Sequence, residues 1–398
     1  MDKIISYQNK LLKNVPYKWY RSYFSKIDWN QRLLGIKGLR GVGKTTLMLQ
    51  YLKYHYPQPK KALYVTADSP WFYDNSLYDL VEQWSKYDGQ LLLIDEIHKY
   101  PQWSSELKVS YDGHPEMRFL FSASSAYDIF SAEADLSRRA IMQELPGMSF
   151  REYLAFVKGV SFEPLTLDQL LNHAEEISWQ VNDKIKPLPL FKDYLKKGYF
   201  PFSANDKDWV AQEQFSSMVN TILESDLAFI QDYSASNILK IKKLLGVIAA
   251  SAPFEPNISK IAAKLKLGRK TVYNYLKHLE DARLFNLLHK KGKGIASLQK
   301  PDKIYFENTN LAMSFNSNSQ KGALRETFFI NQLKNAGNDV LLADAGDFLV
   351  DEQYTFEVGG ETKTARQIKN IADSYLVLDE IEYAFRNRIP LWLFGFLY

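Results

Sequence analysis

The chain has 398 residues, 46% apolar and 24% charged, with a formal net charge of +4. That is apolar mass for the cores of roughly two to three domains, and too little net charge for a polyelectrolyte. It has no cysteine, which excludes disulfides and cysteine-ligated metals and fits a reducing compartment; its six histidines are scattered away from metal-ligand spacing. No charged-then-apolar leader opens the sequence, and no apolar run approaches the roughly 20 residues that cross a bilayer, so a cytoplasmic protein without a membrane partner is expected.

Residues 1–30 are rich in Tyr, Trp and Lys and predict a helical lead-in. From 33 to 145, short apolar runs at Leu33–Ile36, Ala62–Val65, Leu91–Ile94 and Phe119–Phe121 alternate with helical patterns, which predicts a parallel sheet with crossover helices. The run Leu91–Ile94 is apolar at every position, as a strand covered on both faces requires. Residues 1–150 are therefore expected to form an α/β domain. Helical patterns broken by Pro164, Pro187, Pro189 and Pro201 predict a helical extension over 151–235. A 3.6-residue period continues over 236–300, and residues 301–398 mix strand-like runs with one helix near 322–336, an α+β pattern.

Between the first strand and a helix predicted over Thr45–Tyr54 lies Gly38-Leu39-Arg40-Gly41-Val42-Gly43-Lys44-Thr45-Thr46, which fits G-x-x-x-x-G-K-[ST] in the strand-to-helix context that the motif needs. Glycines let backbone N–H groups turn inward on a triphosphate, and the helix N-terminus adds its positive end. Lys44 is then the point charge for the β and γ phosphates, and the Thr45 hydroxyl a Mg²⁺ ligand. A chance glycine turn is the alternative.

The strand "LLLID" ends in Asp95-Glu96 at the edge of the sheet where the phosphate loop lies. Asp95 is expected in the Mg²⁺ shell and Glu96 as the base or water-orienting group at the γ-phosphate. The alternative is an acidic pair that opens a helix. On the next strand, "RFLFSASSA", Ser122 or Ser124 is a candidate γ-phosphate or water contact, against an ordinary polar turn; Ser124 is carried forward as the site residue. In "ADLSRRAIMQ", Arg138 or Arg139 is a candidate for neutralising transition-state charge, within the chain or from a neighbouring subunit of a homo-oligomer, against a surface arginine pair.

These stretches resemble bacterial AAA+-type ATPases related to the archaeal ATPases, in which a P-loop NTPase domain precedes a C-terminal domain of unknown function. "GLRGVGKTTLMLQ" and "LLLIDEIHKYPQW" resemble the two nucleotide motifs of that group. "FSASSA" resembles its strand-end serine motif, with Ala123 where glycine is usual. "LSRRAIMQELPGMSFREYLAF" places Arg139 in the group's arginine position. "YLKKGYFP", "ILESDL", "KIYFENTNLAMSF" and "GALRETFFINQL" resemble its later segments. The resemblance implies ATP as ligand, Mg²⁺ as cofactor and ATP hydrolysis.

Residues 258–300 hold eleven Lys/Arg against the two acids Glu280 and Asp281. Two amphipathic helical patterns joined at Gly268, followed by "LFNLLHKKGKG", have the spacing of a winged helix-turn-helix over 236–300. In a version that reads double-stranded DNA, Arg269, Lys270, Thr271, Tyr273 and Asn274 face the groove, and Lys290, Lys291 and Lys293 meet backbone phosphate. A protein-interaction module is the alternative.

Over 340–369 an acid, a strand and a Glu follow the order of a metal-dependent nuclease of the restriction-endonuclease type, with Asp347, Glu357 and, on the preceding helix, Glu326. The usual lysine position is Gly359, and Lys363 and Lys369 lie further on. A restriction-endonuclease-like α+β domain over 301–398 that has lost activity is expected, against an ordinary α+β domain. The function expected for the whole is Mg²⁺-dependent ATP hydrolysis coupled to conformational change on DNA. The competing expectation is a nucleotide-gated protein-interaction module with slow turnover and no DNA.

Overall fold

The computed structural model describes residues 1–17, 19–124, 136, 138–227, 233–250, 253–292, 300–315 and 320–398. Lys293 lies outside them. The chain divides into two units, Met1–Pro146 with Glu224–Tyr233, and Gly147–Leu223 with Ser234–Tyr398.

In the first unit, β1 (Leu33–Gly38), β2 (Ala62–Thr66), β3 (Leu91–Asp95), β4 (Arg118–Ser124) and β5 (Ile141–Glu144) form a parallel sheet in the order β2-β3-β4-β1-β5. Because every strand runs the same way, β1, β3 and β4 all end at one edge. The order also sends the connections from β1 and β4 to different sides, and an open parallel sheet binds ligands at such a switch point. All of β3 is buried, as its unbroken apolar run predicts. Leu92, Ile94, Phe119 and Phe121 pack with Leu80, Trp84, Trp103 and Leu107 from the crossover helices α3 (Leu77–Ser85) and α4 (Trp103–Gly113).

The lead-in begins with helix α1 (Asp2–Lys13). Its buried Gln8 donates from Nε2 to the Ala62 carbonyl at 3.3 Å and accepts the Tyr64 N–H at Oε1, 2.6 Å away. One amide side chain thus satisfies part of the free edge of β2, an edge that would otherwise be open to pairing with another chain. The helix expected over Thr45–Tyr54 is α-helical only as α2 (Lys44–Gln50); Tyr51–His55 widen into a π-helical turn.

The second unit begins with a helix over Phe150–Lys158, fixed at its start by a reciprocal Ser149–Glu152 capping box. Further helices follow at Leu167–Lys184, Pro187–Lys197 and Asp208–Thr221, where the proline-broken pattern predicts helix. Two helices, Ile258–Leu265 and Arg269–Asp281, then lead to an antiparallel pair, β6 (Phe285–Leu288) and β7 (Lys303–Phe306). After a helix over Lys321–Asn335, a mixed sheet has the order β12-β11-β10-β9-β8, from β8 (Val340–Leu342), β9 (Phe348–Val350), β10 (Tyr354–Gly359), β11 (Ser374–Leu378) and β12 (Arg388–Pro390). The apolar tail Leu391–Phe396 is buried throughout and packs Phe394 against Phe329 and Phe356.

Candidate nucleotide site

The phosphate loop joins β1 to α2. Gly41 and Gly43 have φ of 86° and 99°, a region that a side chain disfavours, and Gly43 is the residue from which α2 starts. Gly38 has no room for a side chain: a Cβ there would lie 2.4 Å from the Leu145 carbonyl oxygen. Lys44 is the first residue of α2, 5% exposed, and donates from Nζ to the Gly38 and Leu39 carbonyls at 2.8 and 3.4 Å. Burial pushes its amine pKa down, against the upward pull of Glu96, Asp95 and Asp226.

Asp95 and Thr45 meet as the motifs predict. The Thr45 hydroxyl donates to Asp95 Oδ2 at 2.7 Å, the Tyr64 hydroxyl donates to the same oxygen at 2.7 Å, and the Ser122 hydroxyl donates to Oδ1. Three hydroxyls thus fix one carboxylate. Desolvation, then the neighbouring Asp95 charge, raises the Tyr64 pKa, so it stays a donor. One carboxylate beside one hydroxyl is a hard-oxygen pair suited to Mg²⁺, which keeps most of its shell for water and phosphate.

Glu96 follows at φ 51°, and its N–H donates to the Ser122 hydroxyl at 2.9 Å. This left-handed turn lets adjacent acids serve different ends: Asp95 is locked under Thr45 while Glu96 turns out beside Arg40 (3.9 Å) and His98 (3.5 Å). Burial raises the Glu96 pKa, with Lys44 and Arg40 opposing it and Asp95 and Asp226 adding to it. A raised pKa makes the carboxylate a better proton acceptor. His98 is buried; burial first, then the charges of Lys99, Lys44 and Arg40, push its pKa down to about 3, so it is a neutral imidazole near pH 7.

Of the two serine candidates, Ser122 connects Asp95 to the Glu96 backbone. Ser124 instead donates from Oγ to Asp226 Oδ2 at 3.2 Å, across 102 residues of sequence. Asp226 is fully buried and also lies 3.5 Å from Arg40 Nη1 and from Lys99 Nζ. Sequence reasoning missed it. Its stretch, "ILESDL", reads only as a helical segment, and no local pattern tells that four residues there join a sheet edge built from residues 33–124.

Arg139 is not brought to the phosphates within its own chain. Its guanidinium grips Asp112 with two bonds, Nε to Oδ1 and Nη2 to Oδ2, each 3.0 Å. Asp112 is near the end of α4, which returns the chain from the β3 exit to the start of β4, so this pair sits at the opposite edge of the sheet. Within its own chain the guanidinium is therefore held away from the phosphate loop. Arg138 is exposed.

In the second unit the helix Arg269–Asp281 buries Val272, Tyr275, Leu276 and Leu279. Arg269, Lys270 and Asn274 are exposed, and Thr271 and Tyr273 half-buried. Lys290 is exposed, whereas Lys291 pairs with Glu352 at 3.0 Å.

The nuclease-type acids also gather partners. Glu326 accepts from the Tyr305 hydroxyl at 2.7 Å and Asp347 from the Val358 N–H at 2.8 Å. Glu357 is fully buried, with Lys363 Nζ 2.6 Å from Oε1. That contact is an ion pair out of line for a hydrogen bond, and among the described residues neither Glu357 oxygen has a hydrogen-bond partner. The stem of Lys363 lies over Gly359: a Cβ there would meet the Lys363 Cβ and Cγ at 2.6 Å. Burial pulls the Lys363 pKa down, but Glu357 and the charges of Asp347 and Glu326 outweigh it and hold the pKa above the ordinary value. Stability from this lysine is thus present at neutral pH and lost only as pH rises through its folded pKa. Lys363→Met leaves a buried carboxylate without its cation. We expect a loss of about 2 kcal/mol, discounted from the full penalty of breaking a buried pair because the amine is partly exposed. A lowered urea midpoint for the second unit checks it, and an unchanged midpoint refutes it.

Residues 30–154 match the family model described as "AAA domain", and residues 188–322 one described as a domain of unknown function, DUF8612. The chain is similar to two proteins of Methanocaldococcus jannaschii, uncharacterized protein MJ1637 (28% identity, 76% of this chain and 67% of that one) and uncharacterized protein MJ1544 (24%, 76% and 66%). It thus spans about two thirds of the length of either relative. Among solved structures it is similar to C. elegans PCH-2 (16% identity, TM-score 0.31, 55% of this chain and 62% of that one). AMPPCP-bound DnaA from Aquifex aeolicus gives 13%, 0.28, 70% and 88%, and Hsp104 with ATPγS and casein 15%, 0.33, 62% and 49%. The glycine-rich loop leaving β1 and the acidic pair leaving β3 both lie within the residues that match an AAA domain, and the matched domain of unknown function follows that sheet in the chain.

Proposed function

We propose that the protein binds Mg²⁺-ATP at the ends of β1, β3 and β4, hydrolyses it to ADP and phosphate, and uses the change of state on double-stranded DNA. The observation that carries the reading is the Thr45–Asp95 contact at 2.7 Å, which joins the loop motif to the acidic motif from 50 residues away. Lys44 would exchange the Gly38 and Leu39 carbonyls for phosphate oxygens, and loop N–H groups with the α2 N-terminus would hold the rest of the triphosphate. Thr45 and Asp95 would hold Mg²⁺, which supplies charge neutralisation along the β and γ phosphates. Glu96 would take a proton from water as the water oxygen bonds to the γ-phosphorus and the bond to the β-bridging oxygen breaks. Ser122 positions both acids. Arg139 would act only across a subunit boundary, in a homo-oligomer.

The DNA part rests on the exposed Arg269, Lys270 and Asn274 of the helix Arg269–Asp281 and on the local excess of basic residues. A nucleotide-gated protein-interaction module is the competing reading. We expect phosphate release to require Mg²⁺ and to rise with double-stranded DNA, and retention on DNA-cellulose to fall with salt. In Arg269→Glu/Lys270→Glu both DNA effects should vanish while basal turnover stays. No Mg²⁺-dependent release from the parent would refute the ATPase; unchanged DNA retention of the double variant would refute the groove assignment.

A further inference from the structure

Three carboxylates, Asp95, Glu96 and Asp226, face the cations of this site, and they are held very unequally. Asp95 is fixed by the hydroxyls of Thr45, Tyr64 and Ser122. Glu96 is anchored through its backbone to Ser122. Asp226 has one hydroxyl, Ser124, on Oδ2. Its Oδ1 has no hydrogen-bond partner among the described residues although the side chain is fully buried, and it meets Arg40 Nη1 and Lys99 Nζ only at 3.5 Å. Arg40 Nη1 likewise lacks a hydrogen bond. Both ends of the Arg40–Asp226 contact are therefore polar atoms out of water with an unspent bond each, an expensive arrangement unless another partner takes its place.

The element that carries Asp226 is also unusual. Ile222–Leu227 is a π-helical turn, a rare form that is frequent at functional sites. Glu224–Tyr233 belong to the first unit, although the chain on either side, to Leu223 and from Ser234, belongs to the second. Residues 225 and 226 are pinned from one side by Lys99, which donates to the Ser225 hydroxyl at 2.7 Å.

Resting on the ATP reading above, we propose that Asp226 sets the discrimination between nucleoside triphosphate and diphosphate: its carboxylate and the γ-phosphate compete for Arg40, Lys99 and Ser124. A γ-phosphate adds negative charge beside three carboxylates that share these few cations, and like charges at such range repel. Asp226, fully buried with one oxygen lacking a hydrogen-bond partner among the described residues, is the one that gives way. ADP brings no charge to that place and leaves it seated.

The test compares dissociation constants of a fluorescent non-hydrolysable ATP analogue and fluorescent ADP, each with Mg²⁺, on the full chain. Asp226→Asn keeps shape and removes charge; we expect triphosphate affinity to rise about tenfold and diphosphate affinity by less than about threefold. Ser225→Ala, which loosens the Lys99 anchor and leaves Asp226 in place, should shift the ratio the same way by a smaller factor and keeps the test open if Asp226→Asn misfolds. An unchanged ratio in both variants, or weaker triphosphate binding, overturns the proposal. Failure of the parent to bind either nucleotide sinks the ATP reading as well, which separates the two failures.

Discussion

Glu96→Gln should hold ATP and fail to turn it over. Glutamine keeps the size of the side chain and its reach toward Arg40 and His98 but cannot take a proton from water. Loss of a positioned general base lowers rates by about a thousandfold, whereas the loop, Lys44, Thr45 and Asp95, proposed to hold the nucleotide, are untouched. A phosphate-release assay beside nucleotide titration reads both. Parental turnover in the variant would remove Glu96 from the mechanism, and lost binding would make it a ligand-holding group instead. The parent should also lose turnover as pH falls through a pKa above the ordinary carboxylate value, because burial and the Asp95 and Asp226 charges raise that of Glu96. Added triphosphate charge raises it further. The stability sign runs the other way. With its folded pKa above its unfolded one, Glu96 favours the folded state at low pH, and that advantage is lost as pH rises through the folded pKa. Glutamine has no such dependence, so without nucleotide the variant should melt no lower than the parent near neutral pH. On the proposed mechanism, the burial of this carboxylate is a local cost retained for function.

The nucleotide strands and the loop were legible because they are local. Leu91–Ile94 can only be a strand buried on both faces, and Gly43-Lys44-Thr45 between a strand and a helix leaves little choice of geometry. The pairing of Thr45 with Asp95 follows from parallel topology, which brings strand ends together whatever the length of the crossovers. Asp226 was hidden for the opposite reason: its neighbours are set by a long return of the chain through another unit, and a lone Asp in a helical stretch has no period or spacing that marks it. Lys363 shows an intermediate case. The spacing of the motif denied a lysine at Gly359, yet a glycine there is the very feature that lets a lysine four residues on fold across it to Glu357. For Arg139, a motif position names a residue and not the edge of the sheet to which it is tied, and the pair with Asp112 shows that edge.

Lys44→Ala should lose nucleotide binding itself. The amine is the cation placed deepest in the loop, and a buried charge-assisted contact to phosphate contributes about 3 kcal/mol, or roughly a hundredfold in dissociation constant. Turnover then disappears with binding, in contrast to Glu96→Gln. Misfolding is the obvious objection, and the electrostatics answer it. The Lys44 pKa is lowered chiefly by burial. A lysine whose folded pKa lies below its unfolded one disfavours the folded state at low pH, and that cost fades as pH rises from the folded pKa to the unfolded one. Alanine removes the cost and leaves the Gly38 and Leu39 carbonyls to water that enters the emptied space. The variant measured without nucleotide should therefore melt at or above the parental temperature, yet show no rise in melting temperature when Mg²⁺-ATP is added, while the parent gains stability in proportion to ligand saturation. Equal nucleotide-induced stabilisation of parent and variant would mean that the triphosphate does not sit on this loop.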